Sequence, residues 1–229
     1  MRYYAPESVR MCFARDTAIF LEMKKDVYIS LDSERTRTLS RALSGVSDAE
    51  TEQLCNELVQ RGLLTAREGS SRPLVATETP IPENSLLPDG YDDGERPAIC
   101  MHHYARFTAA CVSVWLSLRL RSIHDAITRI EKLNRVKTSW RTDERTQDDL
   151  RKLVRVFRYI RPLVYESRDH CLFDSFVLSD FLRRYHIPST CVIGVCTYPF
   201  EAHCWVQTDR FVINGSPEFA RRYVPLLTV

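Results

Sequence analysis

From Ser8 to Leu31 apolar and polar positions exchange in short runs. VRMCFA, TAIFLEM and VYISL are separated by Arg15-Asp16 and by Lys24-Lys25-Asp26, a pattern that predicts three short strands joined by tight turns. Ser33 is placed to cap a helix running through Leu43. Ser47 and Glu50 match the capping-box spacing ahead of a second helix, which carries Leu54, Leu58 and Val59 and closes at Gly62. Residues 69–97 lose any period and hold five of the eleven prolines, as linkers do. Helical intervals then return. Tyr104, Phe107, Ala110, Cys111, Val114, Trp115 and Leu118 predict a helix over 102–120, and the same signal continues over 125–135 and 148–160. The chain therefore divides into a unit at 1–70, a linker at 71–98 and a second unit at 99–229.

Chemistry is concentrated between Asp169 and Phe219. Asp169 can cap a helix whose Leu172, Phe173, Phe176, Val177, Phe181 and Leu182 recur at helical intervals and which Ile187-Pro188 ends. Cys171 then sits in the first turn, where unsatisfied N–H groups and the helix dipole favour a thiolate. The other seven cysteines read as small buried hydrophobes. Thr190 to Val195 predicts a buried strand, Tyr198-Pro199 a turn, and Ala202 to Thr208 a strand in which His203, Trp205 and Gln207 share a face. A Cys at a helix start and a His on a packed strand are the two halves of a thiol–imidazole pair. In such a pair the imidazole takes the thiol proton and later protonates the leaving group.

DHCLFDS followed by IPSTCVIGVCTYPFEAHCWVQTDRFVIN resembles the B protein of lasso-peptide biosynthesis. The likeness is carried by Cys171-Leu172, Gly194-Val195 with Pro199-Phe200, Ala202-His203 with Trp205-Val206, and Val212-Ile213-Asn214. It implies an α+β protein: an N-terminal winged-helix-like element that recognises a leader peptide, then a papain/transglutaminase-like cysteine protease with a helical layer on an antiparallel sheet. It implies further that Cys171 is the nucleophile and His203 the base, and that the leader of a ribosomally made precursor is cut off through a Cys thioester. The leader would lie between the third strand, near Val27 to Leu31, and the third helix, near Glu50 to Arg61, with Val27, Tyr28, Ile29, Leu31, Leu54 and Leu58 as contacts. An open strand edge offers unpaired N–H and C=O groups to such a peptide. The resemblance also implies an asparagine-synthetase-like cyclase as partner, and no cofactor.

One position departs from the pattern. The family places Asp directly after the V-I-N segment, where this chain has Gly215. Asn214, Asp209 or a plain Cys-His dyad remain as alternatives. If Asp209-Arg210 forms a two-residue turn, residues 205 and 214 pair and Asn214 shares the His203 face; a three-residue turn reverses the parity.

Charge and composition narrow the picture further. Basic residues number 32 and acidic residues 30, a net charge of +2, too weak a field to imply nucleic-acid binding. Residues 1–90 carry −3 (11 basic, 14 acidic) and residues 91–229 carry +5 (21 basic, 16 acidic), consistent with two distinct surfaces. The basic residues between Arg106 and Arg161 are spread over several helices without an aromatic series to stack bases. No CxxC pair and no phosphate-binding loop occurs, so no metal finger or nucleotide site is expected. The N-terminus lacks the apolar core of a signal peptide and no apolar run is long enough to span a bilayer, so a cytoplasmic protein with reduced thiols and no membrane partner is expected. Two other functions fit the residues: an acyltransferase or amidase using the same thioester, and a leader-binding chaperone without catalysis.

Overall fold

The alternation at the N-terminus becomes an antiparallel sheet with two differently occupied faces. A computed structural model of the chain describes residues 3–66, 71–72, 79–87, 96–120, 122–134, 144–166 and 170–229. Strand β1 is Ala5–Pro6, β2 is Val9–Ala14, β3 is Thr17–Glu22 and β4 is Val27–Ser30. The last three form a sheet in the order β2-β3-β4, with Ala14 opposite Thr17 and Glu22 opposite Val27. Because side chains alternate, Met11, Ala18 and Phe20 point one way, into a core shared with Leu39, Leu54 and Leu58. Cys12, Ala14, Ile19, Leu21 and Met23 point the other way, into the core of the C-terminal half beside Phe176 and Val195. All six residues of β3 are buried, which is why this strand is apolar almost throughout.

Two helices follow, α1 (Ser33–Leu43) and α2 (Ala49–Gln60). Their starts fall one residue off the expected caps. Asp32 accepts from the Arg35 N–H, and Asp48, not Ser47, forms a capping box with Thr51, each side chain accepting the other's backbone N–H. Ser47 instead donates to Glu52. A carboxylate accepts more strongly than a hydroxyl, which favours the neighbouring aspartate in both places. The helix expected as third in this unit is its second, and Leu54 and Leu58 lie inside the core.

The prolines of 69–97 do not leave the whole segment outside the fold. Strand β5 (Ser71–Arg72) pairs with β1, and β6 (Asn84–Ser85) runs parallel to β9 (Phe211–Val212). Leu86 and Leu87 are buried, and Arg158 donates to the carbonyls of both Leu87 and Ile213.

The C-terminal half is a helical layer, α3 (Met101–Leu120), α4 (Ile123–Asn134), α5 (Glu144–Ile160) and α6 (Cys171–Arg183), against a five-stranded sheet. Its strand order is β10-β7-β8-β9-β6, where β7 is Thr190–Cys196, β8 is Glu201–Thr208 and β10 is Val224–Thr228; a short helix α7, Pro217–Ala220, precedes β10. One face, with Cys191, Ile193, Cys204 and Val206, packs on α6. The other, with Val192, Trp205 and Val212, packs on Ala220 and Tyr223. No helix among the described residues is long and apolar enough to cross a membrane.

Because Leu21 is buried in the C-terminal core rather than in a separate N-terminal one, Leu21→Ala should lower the stability of the whole chain by about 2–5 kcal/mol. Urea denaturation should then show one transition displaced to lower urea; two transitions, of which only one moves, would contradict the shared core.

Candidate active site

The site is built on a strand edge that its neighbour leaves open. Strands β8 and β9 pair Thr208 with Phe211 and Gln207 with Val212, so Asp209-Arg210 is a two-residue turn. The Ile213 N–H still reaches the Val206 carbonyl, at 2.8 Å. The chain then bends away. Gly215 adopts φ +149°, a region that L side chains rarely enter, so an Asp at this position would be strained. Beyond the bend, the Val206 N–H and the backbone groups of Cys204, two residues back and facing the same edge, have no strand partner. Buried backbone groups need other partners.

They find them in α6 and Asn214. The Val206 N–H donates to Asn214 Oδ1 at 2.7 Å, and the Cys204 carbonyl accepts from Ser175 Oγ at 2.9 Å. Asn214 Nδ2 donates in turn to Ser175 Oγ at 3.0 Å and to Asp174 at 3.3 Å. The Cys204 N–H is turned to the thiol of Cys171. The start of α6 is thereby pinned against the middle of β8. The N-cap of α6 is His170, without a side-chain cap bond; Asp169, expected in that role, lies outside the described residues.

Opposed effects act on Cys171. Burial pushes its thiol pKa up, the largest influence, while the N–H groups of Cys204, Leu172 and Cys171 itself pull it down. Burial likewise pushes the imidazole of His203 below its ordinary value, against a smaller upward pull from Glu201. Both shifts favour the uncharged thiol and imidazole over an ion pair.

The structure brings Cys171 to the backbone of the residue after His203 without a hydrogen bond between sulfur and imidazole. The ring lies on the Trp205 face of the strand, 4.9 Å from the Phe219 ring and 5.3 Å from that of Tyr223. Asn214 does not orient it. Continued pairing after a two-residue turn predicts Asn214 on the His203 face, but the bend swings its amide to the α6 side, where its oxygen is occupied by Val206. Asp209 sits in the turn at the far end of β8 and is no closer to serving.

Of the proposed peptide contacts, Val27 is exposed and Tyr28 and Ile29 half-buried, whereas Leu31, Leu54 and Leu58 are buried. Tyr28 reaches the site itself. Its ring meets Phe200 edge-on at 5.4 Å, and its pKa is pushed up to about 12 by burial first, then by Asp26, Cys204 and Cys171.

Several residues here escaped the pattern reading. Asp174, buried one turn into α6, accepts from Tyr165 Oη at 3.1 Å, Arg161 at 3.4 Å and Asn214. Asp174 and Ser175 are polar residues inside an otherwise apolar helical stripe, which was the available signal. A mostly apolar cavity of about 520 Å³, lined by Cys111, Val112, Trp115, Val164, Tyr165, His170 and Phe173, opens beside the start of α6. At the start of α3, Cys100, His102 and His103 bring possible metal-ligand atoms within 4.8 Å of one another. There His103 Nδ1 accepts the Cys100 N–H at 2.9 Å, which explains its position as a helix cap.

Residues 110–228, more than half of the chain, match the transglutaminase-like superfamily, and the protein belongs to it. No match was found among curated proteins or among solved structures. Members of this superfamily are typically cysteine-dependent enzymes, and a domain of this kind suggests cysteine-protease or acyltransferase-type activity.

Replacing Asn214 by Ala strips the Val206 N–H of its partner and should cost about 1–3 kcal/mol, read as a lower urea midpoint. Gly194→Ala should cost a similar ~1–3 kcal/mol by overpacking, since a Cβ there would lie 2.8 Å from the Trp205 ring and 2.9 Å from Tyr223. An unchanged midpoint in either variant would contradict the packing described.

Proposed function

We propose that this protein is a leader peptidase of the lasso-peptide B type, which binds the leader of a ribosomally made precursor and hydrolyses the bond joining leader to core. The observation that carries the reading is the position of Tyr28. Strand β4 is the last of its sheet, and no strand among the described residues pairs with its outer edge. A leader that added to this edge as a further strand, the usual way an extended peptide binds a sheet, would run beside Tyr28 and so arrive next to Cys171. Val27 and Ile29 would meet its side chains, with Leu31, Leu54 and Leu58 supporting the strand from beneath. This open-edged sheet ahead of helices is what supports a winged-helix-like recognition role for the first 70 or so residues.

The chemistry follows from the uncharged pair. His203 accepts the thiol proton as Cys171 Sγ attacks the carbonyl carbon of the last leader residue. Collapse of the tetrahedral adduct breaks the C–N bond, and the imidazolium returns the proton to the departing amine of the core. Water, deprotonated by the same imidazole, then attacks the thioester, releasing the leader carboxylate and the thiol. The freed amine is what an asparagine-synthetase-like cyclase would join to a side-chain carboxylate. Asn214 serves as a positioning residue, fixing the start of α6 on β8.

The test is to incubate the purified chain with a synthetic precursor bearing its leader. The proposal predicts a free leader and a core with a new N-terminus, lost in Cys171→Ala. Loss of ammonia from a Gln side chain without cleavage would instead assign the amidase or acyltransferase reading, and binding without either product would assign a chaperone. The pH profile is also fixed. Since His203 must be neutral to accept the proton and burial holds its pKa below 6.5, kcat/KM should rise along an acid limb centred below that value and stay flat through neutrality. A limb centred above about 7 would contradict His203 as the base.

A further inference from the structure

His203 has no carboxylate where the resemblance expects one, because Gly215 occupies that position and the oxygen of Asn214 is taken by Val206. A carboxylate nevertheless faces it from another direction. Glu201 lies two residues earlier on β8, hence on the same face as His203. The Tyr223 hydroxyl donates to Glu201 Oε2 at 3.0 Å, and the Tyr223 ring stands 5.3 Å from the imidazole. Tyr223 reaches that place because Gly194, paired with His203 across β7 and β8, has no side chain to exclude it. The sulfur stands at the opposite side. The Cys204 N–H that meets Cys171 faces the β9 edge of the strand, whereas Gly194 and Tyr223 lie towards β7.

We infer that Glu201, held by Tyr223, is the carboxylate that orients His203, in place of the aspartate this chain lacks. The inference rests on the reading of Cys171 and His203 as the working pair. One ring nitrogen is then left for the thiol proton while the other N–H is directed at Glu201, which stabilises the imidazolium formed when Cys171 attacks. Tyr223 keeps its proton through this range, its pKa pushed up to about 12 by burial first and then by Glu201. Around the ring lie Glu201 on its own strand, Tyr223 after α7 and the rings of Trp205 and Phe219; Cys196 and Arg222 approach Tyr223 and Phe219 rather than the imidazole. Glu201 is the one for which an upward pull on the His203 pKa is resolved.

The test is a nitrogen-15 NMR titration of the His203 ring in the full chain, together with the pH profile of Cys171 alkylation by iodoacetamide. Glu201→Gln should lower the His203 pKa and carry the acid limb of alkylation down with it; Glu201→Asp should restore part of the shift. Tyr223→Phe, which frees the carboxylate without removing it, should give a smaller displacement. A His203 pKa and limb unmoved by Glu201→Gln would overturn the inference and leave the Cys171–His203 reading standing. If His203→Ala leaves the alkylation profile of Cys171 unchanged, that reading fails and the inference with it.

Discussion

Two backbone groups on one strand account for the geometry of the site. Where β9 bends away at Gly215, the Cys204 N–H and C=O face an edge with no strand beside them. In a buried position an unpaired backbone group costs about 1–3 kcal/mol. The start of α6 comes to this edge: the Cys204 N–H is turned to the Cys171 thiol and pulls its pKa down, Ser175 donates to the carbonyl, and Asn214 accepts the next N–H along, at Val206. The need to satisfy an open edge thus holds a cysteine at a helix N-terminus against the strand that bears His203.

The N-terminal sheet matters for a related reason. Had it buried one face only, it would be a module tied on by residues 69–97. Instead Ile19 and Leu21 enter the C-terminal core while Ala18 and Phe20 complete the core under α1 and α2. Tyr28 shares the first of these faces, being opposite Leu21, and is thereby carried to Cys171. On the proposed reading, capture of a peptide on β4 would be coupled to chemistry at the sulfur by the parity of one strand.

Much of this was legible in the residues. Apolar spacing located α6 and β8, and alternation placed His203, Trp205 and Gln207 on one face. What could not be read depends on departures from regular geometry. The turn at Asp209-Arg210 has the length that puts Asn214 beside His203 on paper, and the bend over 213–215 undoes it. Asp48 displaced Ser47 as a cap because the two stand side by side ahead of one helix start and the carboxylate is the stronger acceptor. Leu86 and Leu87 were hidden among prolines, since two apolar residues carry no period. Glu201 was visible to the alternation rule, but only the position of Tyr223, set by the absence of a side chain at Gly194, gives it significance.

The central claim is that the docking of α6 on β8 makes one of eight cysteines the nucleophile. It is tested most directly by treating the protein with p-nitrophenyl acetate at neutral pH and locating the acetyl group by peptide mass mapping. The account predicts a hydroxylamine-labile acetyl thioester on Cys171, formed faster than any adduct on the more exposed Cys100. Acetylation of Cys100 with Cys171 left unmodified would contradict it.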